Sequence, residues 1–312
     1  MELSNYKFLE DIYQQSLNKK ISNNIKKINS KNLEELNSNG YTIIKSCLDL
    51  DLIENIKNEF NENIKNLTNI VYPRNVKEAQ IINEKIIVER ISQKDLELGE
   101  NHFRNISDKI QLKDPLKNSK RIFEVVFNKE LISLATNYFE QVPYITYCKI
   151  EKNYSNNLKD FDTQLFHFDE NAYKLLKVFV YLEDVTEPDH GPFTYVKGSH
   201  KNIEKFWNQK ISASVEGRAS RWTDDKIVET FGQDSIVPIL AKKGDIVVAN
   251  TIAFHKGTKP KTKDRYIIIF NFGLHKDYIG YKPDVTPAIS RKFFDSISDI
   301  NQKKILTLLE KD

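Results

Sequence analysis

The chain has 312 residues, of which 39% are hydrophobic and 11% aromatic, and this composition is typical of a globular protein rather than a disordered one. Its 47 basic and 44 acidic residues nearly cancel to a formal net charge of +3, and the lysines are scattered along the chain. Proteins that bind nucleic acid usually cluster Lys and Arg on one face, so this pattern argues against a nucleic-acid partner.

The cysteines and the N-terminal residues indicate the compartment. Cys47 and Cys148 are far apart and lie in apolar segments, so we expect buried free thiols rather than a disulfide or a metal-ligand pair. The N-terminus has no apolar signal-peptide core, and no run approaches the ~18 apolar residues of a membrane span. We therefore expect a cytoplasmic protein with no membrane span.

Residues 1–140 are expected to form a mainly helical flank. Apolar residues recur at helical spacing over 51–67 and again over 123–138, which predicts two amphipathic helices. An Asn-Gly turn pair leads into a short predicted strand at 41–45. Residues 70–118 follow no pattern that assigns them to an element, and they are candidates for part of a substrate pocket or lid.

Residues 141–275 are expected to form a β-rich core. Short runs rich in Val, Ile, Phe and Tyr end at turn residues and predict strands at 144–152, 175–182, 193–196, 236–240, 246–250 and 266–272. Two short helices are predicted between these strands, near 201–209 and 223–231, and Thr223 is suited to cap the second.

The end of the chain, residues 276–312, is expected to form a helical extension with an amphipathic helix at 299–309. No internal repeat or long linker divides the chain, so we expect one domain over residues 1–312. Helices followed by many short strands predict a mainly β protein with flanking helices, built as a sandwich or jelly roll.

The sequence Phe-His167-Phe-Asp169 is the first motif that carries chemistry. In an extended backbone, residues i and i+2 point to the same face, so His167 and Asp169 can direct an imidazole and a carboxylate at one point. His255, in an apolar segment after the predicted strand 246–250, is the best candidate for a third ligand. By itself a His-x-Asp sequence is weak, because a surface strand with two polar residues has the same pattern.

Two His and one carboxylate on one face of an octahedron are typical of non-haem iron(II) oxygenases, where the open positions accept a co-substrate and O2. Three nitrogen ligands or a Cys-rich set would favour zinc instead. Arg265 follows ten residues after His255 and opens the predicted strand 266–272. An arginine there can clamp a carboxylate with its planar guanidinium, and the alternative is a surface charge.

Several blocks in this order resemble the phytanoyl-CoA dioxygenase family of Fe(II)/2-oxoglutarate oxygenases, over roughly residues 30–275. The blocks are Leu36-Asn-Ser-Asn-Gly-Tyr-Thr-Ile-Ile-Lys45, His167-Phe-Asp169, Leu176-Lys-Val-Phe-Val-Tyr-Leu-Glu-Asp-Val185, Gly191-Pro-Phe-Thr-Tyr-Val-Lys-Gly-Ser-His200, Lys243-Gly-Asp-Ile-Val-Val248, His255-Lys-Gly-Thr258 and Arg265. The resemblance implies a double-stranded β-helix, also called a jelly roll or cupin-like core, which agrees with the fold expected from the strand pattern.

The resemblance also implies the cofactors and the residues that bind them. His167, Asp169 and His255 would hold Fe(II), and Arg265 would bind the distal carboxylate of 2-oxoglutarate. The implied reaction oxidises a small-molecule substrate with O2, most simply by hydroxylation, and releases succinate and CO2. Related halogenases lack the carboxylate ligand, so the presence of Asp169 favours hydroxylation or another oxidation.

Two further co-substrate contacts follow from the resemblance. Phe179 matches an aromatic residue that lies beside 2-oxoglutarate in the family, and Lys149 lies on the strand ahead of the iron motif, from which such a contact is common. One departure concerns Gly257, because some members carry a hydroxyl residue at that position. Thr258 is the candidate substitute.

The loop that contains Arg218, Arg221 and Trp222 lies between the two halves of the predicted barrel, where substrate-covering insertions tend to occur. Either arginine can meet an anionic substrate, with Trp222 as an apolar wall, and the alternative is a solvated basic loop. His200 is interpreted as structural. Two other functional classes remain open at this point: a non-catalytic jelly-roll binding protein, and an iron oxygenase that does not use 2-oxoglutarate.

Overall fold

A computed structural model describes residues 30–66, 80–82, 86–88, 100–105, 107–113, 115–117, 119–140, 143–160, 162–169, 172–201, 203, 206 and 221–274. Arg218, the predicted extension 276–312 with its helix at 299–309, and most of the predicted helix 201–209 lie outside these residues. No helix in the described ranges is long and apolar enough to cross a membrane.

The helices of the described residues are α1 Ser30–Asn39, α2 Leu50–Asn66, α3 Glu100–Phe103, α4 Lys120–Val126, α5 Lys129–Phe139 and α6 Asp224–Phe231. As predicted, the Thr223 hydroxyl caps α6 by accepting a hydrogen bond from the Lys226 amide. The prediction of one helix over 123–138 is wrong, because this region forms two separate helices, α4 and α5. The Asn128 side chain accepts from the amides of Glu130 and Leu131 and so starts a new helix.

A large antiparallel sheet forms one layer of the molecule. Its strands are β1 Tyr41–Ile44, β4 Lys109–Lys113, β5 Tyr144–Asn153, β6 Leu175–Tyr181, β9 Ile246–Asn250 and β11 Arg265–Gly273. They are ordered β1-β9-β6-β11-β5-β4. Both β1 and β4 come from residues 1–140, so that flank contributes strands to the sheet as well as helices. A separate hairpin pairs β2 Gln80–Ile82 with β3 Ile86–Val88.

A smaller antiparallel sheet faces the large one. Its strands are β7 Phe193–Val196, β8 Ile236–Ile239 and β10 His255–Gly257, in the order β10-β7-β8. The extended segment around His167 continues this sheet, because His167 forms an antiparallel bridge with His255. The two layers make a double-stranded β-helix, mainly β with flanking helices, as predicted.

Side chains alternate between the two faces of the large sheet. On β6, Leu176, Val178 and Val180 face α1, α2, α4 and α5, whereas Phe179 and Tyr181 face the small sheet. The core between the sheets consists of Phe179, Tyr181, Val185, Phe193, Tyr195, Ile239, Ala241, Val247, Ala249, Ala253, Ile267 and Ile269. Cys148 is buried and Cys47 half-buried, and both are free thiols. The inner face of the large sheet therefore positions the groups that line the space between the layers.

Candidate active site

His167 and His255 are paired directly through their backbones. The amide of His167 donates to the carbonyl of His255 at 2.9 Å, and the amide of His255 donates to the carbonyl of His167 at 2.8 Å. This pairing places both side chains on one face, where the ring centroids are 4.3 Å apart with planes inclined by 51°. Both residues are buried, so the sheet itself holds the two imidazoles side by side away from solvent.

The Nδ1 atom of each imidazole is hydrogen-bonded to a backbone carbonyl two residues earlier in the sequence. Nδ1 of His167 donates to the carbonyl of Leu165 and Nδ1 of His255 donates to the carbonyl of Ala253, each at 2.9 Å. Because a carbonyl can only accept, Nδ1 carries the proton and Nε2 keeps its lone pair. Burial lowers the pKa of His255 to about 4 and holds the pKa of His167 well below its ordinary value. Both rings are therefore neutral at neutral pH, which is the form in which an imidazole can bind a metal ion.

Asp169 supplies the negative charge of the cluster. Its amide donates to the carbonyl of Thr251 at 2.8 Å, and its Oδ2 atom lies 2.6 Å from Nζ of Lys177. Burial is the largest influence on the Asp169 carboxyl and opposes its ionisation. The ammonium of Lys177, together with the facing imidazoles of His255 and His167, outweighs burial and keeps the pKa of Asp169 below its ordinary value. One potential ligand atom from each of His167, Asp169 and His255 lies within 4.8 Å of the others. This set of two imidazoles and one carboxylate fits a divalent iron ion.

The cluster opens into a cavity of about 120 Å³ between the two sheets. Its lining residues are Asp108, Lys109, Lys149, Glu151, Asn153, Asp162, Thr163, Gln164, His167, Lys177, Phe179, Phe193, His255, Gly257, Arg265, Ile267, Ile269 and Asn271. The structure thus brings two of the predicted metal ligands, His167 and His255, and the three predicted co-substrate contacts, Lys149, Phe179 and Arg265, to one cavity. Asp169 is not among the lining residues and joins the site through its proximity to the two imidazoles.

Arg265 lies at the start of β11 and is 5% exposed. Its Nη1 donates to the carbonyls of Gly191 and Thr258, and its Nε has no hydrogen-bond partner among the described residues. A buried guanidinium that still has an unpaired N–H donor is suited to bind an anionic ligand. The hydroxyl of Thr258 pairs with that of Thr194 at 2.7 Å and Thr258 does not line the cavity, so the structure does not bring this candidate substitute to the site. Gly257 does line the cavity, and a Cβ atom there would lie 3.9 Å from Nη2 of Arg265.

Phe179 and Phe193 form an apolar wall of the cavity. Their rings stack with centroids 4.1 Å apart and planes inclined by 28°, one ring from each sheet. Phe193 also lies against His255, with ring centroids 5.5 Å apart. The pair therefore shields the metal-facing region from the core and gives a flat surface next to it.

Glu151 is a cavity residue that the sequence reading missed. Its carboxylate accepts hydrogen bonds from Lys149 and Gln111, and Nζ of Lys109 lies 3.9 Å away. Burial alone would raise the pKa of Glu151, but the ammonium groups of Lys149 and Lys109 outweigh it and hold the pKa at about 2. The available signal was the alternation on β5, which puts 149, 151 and 153 on one face.

Two residues of the predicted substrate loop, Arg221 and Trp222, lie in different surroundings. Nη2 of Arg221 lies 2.8 Å from Oδ1 of Asp162, a cavity residue, so Arg221 reaches the cavity through that carboxylate. Trp222 is 2% exposed and its ring packs 4.6 Å from that of Phe254. The structure therefore does not bring Trp222 to the cavity, because a backbone bridge to Phe166 draws it into the core.

The Gly-Ser-His block positions the strand that carries His255. The buried hydroxyl of Ser199 accepts from the amide of Phe254 at 3.0 Å and donates to the carbonyl of Val196 at 2.8 Å. These bonds tie the residue before His255 to the end of β7. Nε2 of His200 instead lies 3.2 Å from the carbonyl of Asn37, and His200 is not among the residues that line the cavity.

Comparison with known proteins gives one family. The sequence profile described as "Phytanoyl-CoA dioxygenase (PhyH)" matches residues 36–266. The comparison with curated proteins finds no match. The fold is shared with the alpha-ketoglutarate-dependent carbocyclase SnoK from nogalamycin biosynthesis, with a TM-score of 0.54 at 13% identity over 85% of this chain and 88% of that chain.

Two further solved structures are similar. The epimerase SnoN, in complex with Fe3+, alpha ketoglutarate and nogalamycin RO, has a TM-score of 0.51 at 13% identity, over 79% of this chain and 83% of that chain. HygX from Streptomyces hygroscopicus, with nickel and 2-oxoglutarate bound, has a TM-score of 0.49 at 14% identity, over 78% of this chain and 86% of that chain. At such identities, the likeness to SnoK and SnoN establishes the fold alone.

Proposed function

The chain belongs to the phytanoyl-CoA dioxygenase family of Fe(II)/2-oxoglutarate-dependent oxygenases, and from that membership we propose that it hydroxylates a small-molecule substrate, releasing succinate and CO2. The observation that carries this proposal is the cluster of His167, Asp169 and His255 within 4.8 Å, opening into a cavity that also contains the buried Arg265. A metal site with open positions next to an anion site is what this two-substrate chemistry needs.

In this proposal, Nε2 of His167, Nε2 of His255 and the carboxylate of Asp169 hold Fe(II). When bound, the iron activates O2 at the expense of the oxidative decarboxylation of 2-oxoglutarate. The protein supplies neutral imidazoles through burial and a preformed spacing through the His167–His255 backbone pair.

Arg265 is the proposed partner of the distal carboxylate of 2-oxoglutarate. Its Nε has no partner among the described residues, and its fixed Nη1 contacts keep the guanidinium plane in one orientation. Lys149 adds a second positive charge on the same cavity wall, and Phe179 gives the flat surface against which the co-substrate carbon chain packs. The ammonium of Lys149 also pairs with Glu151, so we propose that Lys149 contacts 2-oxoglutarate more weakly than Arg265 does.

The predicted substrate contacts Arg218 and Arg221 take different roles in this proposal. Arg221 is paired with Asp162, so its proposed role is to orient that carboxylate at the cavity wall rather than to meet an anionic substrate directly. A direct contact from Arg218 stays a prediction.

We also propose a cytoplasmic location, because reducing conditions favour both free thiols and ferrous iron.

The test is an incubation with Fe(II), 2-oxoglutarate, 18O2 and a panel of small molecules, read by succinate release and product mass. Hydroxylation predicts equal amounts of succinate and of a product that carries one 18O atom. SnoN and SnoK are an epimerase and a carbocyclase, so the mass separates these outcomes as well. A product of unchanged mass, or one that has lost two hydrogens, would contradict hydroxylation, and absence of 2-oxoglutarate turnover would contradict the oxygenase assignment.

A further inference from the structure

Lys177 is an ionisable residue on the inner face of a buried strand. Its neighbours on β6, Leu176 and Val178, are fully buried and face the helices, while Lys177 lines the cavity with 17% of its side chain exposed. Placing an ammonium group in such surroundings is unfavourable unless a partner compensates its charge. A group that the ammonium of Lys177 contacts must therefore compensate its charge.

The partner is the carboxylate of the proposed metal cluster. Nζ of Lys177 lies 2.6 Å from Oδ2 of Asp169. Among the described residues, Asp169 is the acidic residue that forms an ion pair with Lys177. Across the sheet, Lys177 is paired with Ala249 on β9 and Asn271 on β11, neither of which is charged. The ammonium is thus committed to one carboxylate oxygen, at a distance typical of a charge-assisted hydrogen bond.

Asp169 is consequently held at two points. Its backbone amide donates to the carbonyl of Thr251, which fixes the start of the side chain, and Lys177 fixes the far end. With Oδ2 engaged, Oδ1 is the oxygen left for a metal ion. A carboxylate with one free oxygen takes one ligand position, whereas an unrestrained carboxylate can take two.

We propose that Lys177 is a positioning residue of the iron site, which holds Asp169 as a one-oxygen ligand and so preserves the open positions that the co-substrate needs. This inference rests on the proposed function, because it concerns the same metal site. Outer contacts of metal ligands typically affect affinity strongly, so the effect is measurable without any turnover.

The experiment measures Co(II) binding to metal-free protein by visible absorption, in wild type and in K177M, K177Q and K177R. The control is K174M, which removes a lysine from the turn before β6. Nζ of Lys174 donates to the carbonyl of Tyr138 at 2.7 Å, and Lys174 is not among the cavity-lining residues. Far-UV circular dichroism checks folding, and K177Q and K177R keep a hydrogen-bond donor if K177M does not fold.

The expected result is that K177M and K177Q weaken Co(II) binding by about 10- to 100-fold and change the absorption spectrum of the bound metal. K177R should restore most of the wild-type affinity and spectrum, and K174M should behave as wild type. Unchanged affinity and spectrum in both K177M and K177Q would overturn the inference. So would tighter binding, because it would show that the ammonium acts only by repelling the metal. A wild-type protein that binds no Co(II) would contradict the metal site itself, and with it both the proposed function and this inference.

Discussion

The backbones of His167 and His255 are hydrogen-bonded to one another in both directions, at 2.9 and 2.8 Å, although the residues lie far apart in the sequence. The separation of their imidazoles is therefore set by the small sheet and does not depend on a metal ion. Because each Nδ1 is also bonded to the carbonyl two residues earlier in its own segment, the two rings are oriented before any ligand binds. We expect the metal-free protein to keep its fold and its site.

Substitution H255A should abolish metal binding while leaving the fold intact. The backbone bridge to His167 does not need the imidazole, so only a ligand is lost. We expect Co(II) affinity to fall by at least about 100-fold and 2-oxoglutarate turnover to fall to background. The matched control is H200A, since His200 contacts Asn37 rather than the cavity. Metal titration with a thermal melt of each metal-free variant checks this, and full-strength binding by H255A would remove His255 from the ligand set.

Substitution R265A should weaken 2-oxoglutarate binding and spare the metal. A guanidinium contributes charge-assisted hydrogen bonds, so we expect the Kd of 2-oxoglutarate to rise by about 100-fold, with a smaller rise for R265K. R121A is the control, because Arg121 forms a half-exposed ion pair with Glu59 outside the cavity. Equilibrium titration of the Co(II)-loaded protein measures the effect. An unchanged Kd in R265A would show that the carboxylate clamp lies elsewhere.

Glu151 should contribute pH-dependent stability. Its pKa is about 2 in the folded protein against an ordinary value of 4.5, so the folded state binds the proton less readily than the unfolded chain. The stabilisation is therefore present above pH 4.5 and is lost as the pH falls through about 2. E151Q should lower the free energy of unfolding by about 3 kcal/mol at pH 7, because the buried lysines lose their counter-charge, and by less at low pH.

Urea denaturation of metal-free protein between pH 2.5 and 7 checks this prediction. The control is E229Q, since Glu229 forms an exposed pair with Lys226 on α6. An E151Q curve parallel to that of the wild type across this range would mean that Glu151 does not titrate as described.

Ser199 should stabilise the strand that carries His255. The substitution S199A leaves the buried amide of Phe254 without an acceptor, so we expect a loss of about 1–3 kcal/mol in the free energy of unfolding. S235A is the control, because the Ser235 hydroxyl makes an exposed turn contact with the carbonyl of Gly232. Denaturant unfolding compares the two, and equal stabilities would show that the Gly-Ser-His block does not tie down this strand.

The sequence was most informative where apolar residues and turn signals coincide. Strands Phe193–Val196 and Ile246–Asn250 were predicted at their observed bounds, because each is a continuous buried run between turns. Strand Lys109–Lys113 was not predicted, since only Ile110 and Leu112 in it are apolar. Lys109 lines the cavity and Gln111 donates to Glu151, and the tertiary fold rather than the local pattern sets both contacts.

Side-chain partners were the least accessible part of the site. The alternation of side chains along β6 puts Lys177 on the same face as Phe179, but its pairing with Asp169 depends on how the segment after His167 lies against the sheet. Trp222 was expected to form an apolar wall beside the substrate because its loop lies between the two halves of the predicted barrel. It lies in the core because the backbone pairing with Phe166 turns the indole inward, and no local pattern reports that pairing.

The most direct test of the account is anaerobic addition of Fe(II) and then 2-oxoglutarate to the wild-type protein, followed by visible absorption. Chelation of iron by the keto acid in a site made by His167, Asp169 and His255 predicts a weak charge-transfer band that appears only when both are present. The band should be absent in H255A and should need higher 2-oxoglutarate concentrations in R265A. No band in the wild type, or a band indifferent to 2-oxoglutarate, would contradict the proposed iron and co-substrate site.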